Sequence, residues 1–94
     1  MRLLWSTRAR RQLKRIQAWI SRSDPNAAER VIAKILTTAR KLEQFPALGH
    51  PSERDDIRLL QVAGLTYVLP YRVAGDDIEI VAVFDQRRDP EDML

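Results

Sequence analysis

Tyr67-Val68-Leu69-Pro70-Tyr71-Arg72-Val73-Ala74-Gly75-Asp76-Asp77-Ile78-Glu79-Ile80-Val81-Ala82-Val83-Phe84 is the stretch whose reading decides the fold. Apolar, aromatic and β-branched residues alternate with others on either side of Gly75-Asp76-Asp77, the pattern of two strands joined by a tight turn. Because successive strand side chains point to opposite faces, the residues sort into two sets. Tyr67, Leu69, Tyr71, Val73, Ile78, Ile80, Ala82 and Phe84 are assigned to a core face. Val68, Pro70, Arg72, Glu79, Val81, Val83 and Asp85 are assigned to the other face. Pro70 has no N–H to give to a ladder, so a bulge or an edge is expected there.

Working back toward the N-terminus, Ile57 to Val62 reads as a third strand, with Ile57 and Leu59 on the core side and Arg58, Leu60 and Val62 on the other. Gly64 marks its turn, which makes the three strands an antiparallel meander. Gly49 to Asp56 reads as a polar loop. Ahead of it the period changes. Ala28, Val31, Ile32, Ile35, Ala39 and Leu42 form one helical face after Asp24-Pro25, an acidic N-cap followed by proline at the first helical position. Ala9, Leu13, Ile16 and Ile20 form the stripe of an earlier helix from Ser6 or Thr7 to about Ser21, and Arg2 to Trp5 reads as an edge or added strand. A loop of about three residues between the helices implies an antiparallel helical hairpin. The expected fold is therefore α+β, a single domain over residues 1–94 with an N-terminal strand and a helical hairpin packed on a small, mostly antiparallel sheet. With both helices on one face, the other carries an aliphatic patch of Leu60, Val62, Val68, Val81 and Val83, rimmed by Arg58, Arg72, Glu79 and Asp85. Such a patch reads as a protein docking surface.

Charge is unevenly distributed. Arg2, Arg8, Arg10, Arg11, Lys14, Arg15 and Arg22 meet no acidic residue before Asp24, whereas Asp76, Asp77, Glu79, Asp85, Asp89, Glu91 and Asp92 crowd the C-terminal part. That asymmetry points to an acidic or polyanionic partner at the basic end. Arginine is the favoured cation, and its planar fork suits carboxylates and phosphates. No cysteine is present, which excludes disulfides, thiolate metal sites and cysteine nucleophiles. With no apolar run of signal-peptide or membrane-span length, a cytoplasmic protein is expected, without membrane contact. No spacing suggests a metal, a cofactor or a nucleotide loop. His50, the single histidine, reads as an exposed loop residue, and Tyr67 and Tyr71 as core aromatics.

Four motifs occur in order: Asp24-Pro25-Asn26-Ala27-Ala28, Leu42-Glu43-Gln44-Phe45-Pro46-Ala47-Leu48-Gly49, the Tyr67–Ile80 hairpin, and a closing Arg88-Asp89. Together they resemble the RelE/ParE superfamily of bacterial toxins, most closely its ParE branch, over nearly the whole chain. The resemblance implies a toxin of a type II toxin–antitoxin pair, neutralised by a cognate ParD-like antitoxin, with higher-order toxin–antitoxin oligomers among the forms it can take. RelE-like members cleave ribosome-bound messenger RNA with cationic residues and a late Tyr or His as acid and base. This chain carries no Tyr or His after Tyr71, has Asp85 where many relatives carry His, and has Gln61 and Val62 where nucleases place an arginine. The resemblance therefore implies no catalytic residue here and points to DNA gyrase, bound rather than chemically altered, as the target. The expected antitoxin contacts are Leu60, Val62, Val68, Arg72, Val81 and Val83 on the sheet and Arg8, Arg11 and Arg15 on the first helix. The expected target contacts are Arg58, Arg72, Arg87 and Arg88. A messenger endoribonuclease and a non-toxic antitoxin-binding relative are the alternatives.

Overall fold

The computed structural model describes residues 1–87. In chain order these form β1 (Arg2–Trp5), α1 (Thr7–Ser21), α2 (Pro25–Arg40), a 3-10 turn (Lys41–Glu43), β2 (His50–Pro51), β3 (Arg58–Gln61), β4 (Tyr67–Ala74), β5 (Asp77–Ile80) and β6 (Phe84–Asp85). The sheet runs β1-β5-β4-β3-β2, with β6 pairing β4 beyond the end of β5. Among the described residues only β1–β5 is parallel; the remaining pairings are antiparallel. The α+β architecture with a leading strand is as the sequence predicts.

Local chemistry starts both helices. Ser6 Oγ accepts from the Ala9 N–H at 3.0 Å, and Asp24 Oδ1 accepts from the Ala27 N–H at 3.0 Å with Pro25 following. Each side chain satisfies one of the N–H groups that a helix start leaves without an intrahelical partner. Gly75 sits at φ +60 as the first of two residues between β4 and β5. A side chain resists that conformation, and glycine there gives the tight turn that matches strand twist. The helices cover one face of the sheet. Ala9, Ile35, Ala39 and Leu42 meet Leu60, Val62, Tyr67, Leu69, Tyr71, Ile78, Ile80 and Val83 in one buried cluster.

That cluster corrects part of the face assignment. Leu60 lies opposite Leu69 in the ladder, so Leu60 and Val62 belong to the core, 5% and 0% exposed. Leu59, opposite Pro70, takes the other face, and Val73 near the hairpin end is 45% exposed. The expected final strand is also interrupted. Tyr71 pairs Ile80, but Val68 pairs Phe84, so one extra residue intrudes between β5 and β6. Such a bulge reverses the alternation beyond it. Val83 turns into the core, and Phe84 joins Val68 on the second face, both buried.

Pro70 accounts for the position of the bulge. Its carbonyl accepts from the Val81 N–H at 2.8 Å, but it has no proton to return to the Val81 carbonyl. That carbonyl instead accepts from Ser6 Oγ at 2.8 Å, the same hydroxyl that caps α1. The Val83 N–H donates to Gln12 Oε1 at 2.7 Å. The α1 cap residue and one α1 side chain thus satisfy the backbone groups that the bulge frees. The loop expected between Gly49 and Asp56 begins with β2, whose His50 and Pro51 pair Leu59 and Arg58.

Candidate functional site

The sheet end, the Phe45–Gly49 turn and the outer side of α1 hold the residues the sequence singles out. At the turn, the Tyr71 hydroxyl donates to the Pro46 carbonyl at 2.8 Å and accepts from the Gly49 N–H at 2.9 Å. The tyrosine is fully buried. A Cβ on Gly49 would lie 2.5 Å from Tyr71 Cε1 and 2.7 Å from the Leu59 carbonyl oxygen, so the motif's glycine makes room for the motif's tyrosine. The Arg58 side chain adds bonds to the Gly49 and Ala47 carbonyls at 2.8 and 3.2 Å. Arg58, expected at a target surface, therefore holds this turn in place. The Tyr71–Gly49 fit is the main feature that sequence reading missed. Its signal was the joint presence of the two motifs, 22 residues apart.

The other sheet arginines are also engaged. Arg72 pairs Glu79 across the β4–β5 hairpin at 2.8 Å. Arg87 pairs Asp85 at 2.9 Å, and its backbone N–H donates to the same carboxylate at 3.0 Å. Asp85 also accepts from Thr66 Oγ1 at 2.6 Å. The Arg87 side-chain bond, together with Thr66 and the Arg87 backbone, holds the Asp85 carboxyl well below the usual carboxylate range against the opposing cost of burial. At physiological pH Asp85 is an ionised acceptor with its lone pairs in use, poorly suited to take a proton in a reaction. Gln61 donates to the Leu65 and Tyr67 carbonyls at 3.0 and 3.3 Å, closing the turn between β3 and β4. Arg88 lies outside the described residues.

Of the expected antitoxin contacts, Leu60, Val62 and Val83 are core residues and Val68 is 3% exposed. Val81 is half-buried and Arg72 exposed. The second sheet face thus offers polar Arg72 and Glu79 and the exposed Leu4 opposite Glu79 rather than an open aliphatic patch. His50 is exposed on β2, beside an open hollow of about 310 Å³ that Thr38, Lys41, Leu48 and Leu59 also line. Among the described residues no three metal-ligating side chains converge, and no helix is long and apolar enough to cross a membrane. On α1, Arg8, Arg11 and Arg15 are exposed, and Trp19, 61% exposed, carries the Arg22 guanidinium 5.4 Å from its ring centroid.

Residues 3–90 match the model of the ParE toxin of the type II toxin–antitoxin system parDE. A protein of Sinorhizobium fredii described as a toxin, Y4kP, is 42% identical over 82 residues, covering 87% of this chain and 84% of its own. Toxin RelE3 of Caulobacter vibrioides is 36% identical over 77 residues, covering 81% of this chain and 84% of its own. A solved structure described as the chromosomal ParDE TA system from P. aeruginosa superimposes with a TM-score of 0.81 at 26% identity, covering 90% of this chain and 95% of that one.

Proposed function

We propose that this chain, which belongs to the ParE toxin family of type II toxin–antitoxin systems, acts by binding DNA gyrase without hydrolytic chemistry of its own and is silenced by a cognate antitoxin. The observation that carries the reading is Asp85. Where RNA-cleaving relatives present an acid or base, this chain has a carboxylate held ionised by Arg87 and Thr66. A carboxylate held ionised in this way has no proton to give, and its lone pairs are already taken by Arg87 and Thr66, so it serves neither as acid nor as base. The two tyrosines do not replace it, since both are buried in the core cluster and the Tyr71 hydroxyl is committed to the Phe45–Gly49 turn.

The antitoxin reading is supported by the likeness to the solved structure of the chromosomal ParDE TA system from P. aeruginosa and by the exposed Arg72 and half-buried Val81 of the second sheet face. Leu60, Val62 and Val83 leave the list of contacts because they line the core. The relative named Toxin RelE3 favours messenger cleavage as a second reading. Expression without antitoxin, combined with a supercoiling assay on purified gyrase, separates the two. A gyrase poison gives filamentous arrested cells, intact messages and lost supercoiling. Messages cut at the ribosome with supercoiling untouched would replace this reading with the second. Normal growth with folded protein would leave only an antitoxin-binding relative.

A further inference from the structure

Among the described residues, arginines on the sheet and on α1 are used differently. Arg2, Arg54, Arg72 and Arg87 each pair a carboxylate, and Arg58 is bonded to turn carbonyls. On α1, by contrast, Arg11 and Arg15 have no partner among the described residues. With Arg8, Trp19 and Arg22 they recur every three or four residues, which places all five on one stripe of a helix. The stripe lies well away from buried Ala9 and half-buried Leu13 and Ile16. At 1.5 Å per residue it is about 21 Å long. No acidic side chain stands in the first turn of α1, although arginines there oppose the helix dipole.

We infer that the Arg11–Arg15–Arg22 row of α1 is a binding surface for the phosphate backbone of duplex DNA, an activity separate from any contact with gyrase. Charge complementarity identifies the polyanion. A straight row of forked cations on a rigid, packed helix matches a stiff lattice of phosphates, and neither side must be ordered on contact. Single-strand sites place successive bases on several aromatic side chains. The row has one aromatic, Trp19, and the Arg22 guanidinium already stacks on its ring. That contact already occupies one face of the ring. An acidic antitoxin segment, the occupant expected from the sequence, would compete for the same arginines.

The test is fluorescence anisotropy of a labelled 20-base-pair duplex with the purified full chain across a salt series. Three phosphate contacts predict a slope of log K against log salt of about −2.7, or roughly 40-fold weaker binding between 50 and 200 mM salt. Replacing Arg11→Gln and Arg15→Gln together should cut the slope by about two thirds and weaken binding roughly ten-fold, with the helical circular dichroism and melting curve unchanged. The pair Arg30→Gln and Arg40→Gln on exposed α2 positions should leave binding within about two-fold of the parent, because these residues are off the row. A slope shallower than about −1 would overturn the proposal. Equal losses from both variant pairs, or tighter binding of a single-stranded oligonucleotide, would do the same. A labelled polyglutamate peptide that binds through Arg11 and Arg15 while the duplex does not would assign the row to an acidic protein instead. No gyrase is present, so failure here leaves the target reading untouched, and failure of supercoiling inhibition leaves this one untouched.

Discussion

The sheet side of the molecule and the outer side of α1 use the same residue type in opposite ways. On the sheet side, arginines are turned to internal work. Arg58 holds the Phe45–Gly49 turn, Arg72 bridges the hairpin and Arg87 closes on Asp85. Among the described residues no buried side-chain nitrogen or oxygen lacks a partner. On α1, Arg11 and Arg15 stand in solvent, and the helix makes no use of them. The contrast shows that charge counted along a sequence does not identify a binding surface. Only the cations left over once internal carboxylates and carbonyls are satisfied remain to meet a partner.

The largest effects should come from breaking the satisfied side. Gly49→Ala drives a methyl group into the Tyr71 ring and the Leu59 carbonyl, and a backbone carbonyl cannot move aside cheaply. A loss of about 3 kcal/mol is expected in urea unfolding. Tyr71→Phe keeps the ring but strands the Gly49 N–H and the Pro46 carbonyl, at about 2 kcal/mol by the same measurement. If Tyr71→Phe were neutral, the turn would be held by packing alone. Gln12→Leu removes the acceptor for the Val83 N–H at the bulge, and about 1–2 kcal/mol should be lost.

Asp85→Asn tests the charge on the same side and should cost less than about 1 kcal/mol near neutral pH, because Arg87 is largely exposed. The folded-state pKa of Asp85 is depressed. Its contribution is therefore complete above the unfolded carboxylate value of about 3.9 and is lost as pH falls through the folded value. The stability gap between parent and variant should narrow as pH is lowered from 5 toward 2, and a gap independent of pH would mean that Asp85 acts only through its shape. The smallest effect belongs to the other side of the comparison. Arg11→Gln with Arg15→Gln should change stability by no more than about 0.5 kcal/mol, since neither side chain is used internally. A loss above about 2 kcal/mol in thermal unfolding would place these arginines among the structural ones and erase the contrast.

Most of the architecture was legible in the chain. Asp24-Pro25 and Ser6 or Thr7 mark the two helix starts, because capping is a contact among near neighbours. The stripes Ala9-Leu13-Ile16-Ile20 and Ala28-Val31-Ile32-Ile35 identify helices, and Gly75 with its flanking alternation identifies the hairpin. The site was less legible. Arg8, Arg11 and Arg15, expected as partner contacts, are exposed, but Arg58, expected at a target surface, holds a turn. Leu60, Val62 and Val83 were read as a docking patch when they line the core. The error in β3 was one of phase, since Ile57-Arg58-Leu59-Leu60-Gln61-Val62 alternates almost equally well either way and both sets contain leucine. The error at Val83 was one of register, because one extra residue beyond Ile80 exchanges the two faces.

By itself the sequence determined which segments become helices and strands, the order in which they come, the basic character of α1 and the absence of cysteine chemistry. These follow from neighbours within a few residues, where propensity, capping and periodicity act. Tertiary structure alone decided which face of β3 is buried, where the bulge absorbs the missing proton of Pro70, and that Tyr71 must find Gly49. Each of these depends on hydrogen-bond partners from distant parts of the chain. A periodicity of two fixes alternation but carries no information about which strand lies opposite or how many residues separate the pairs.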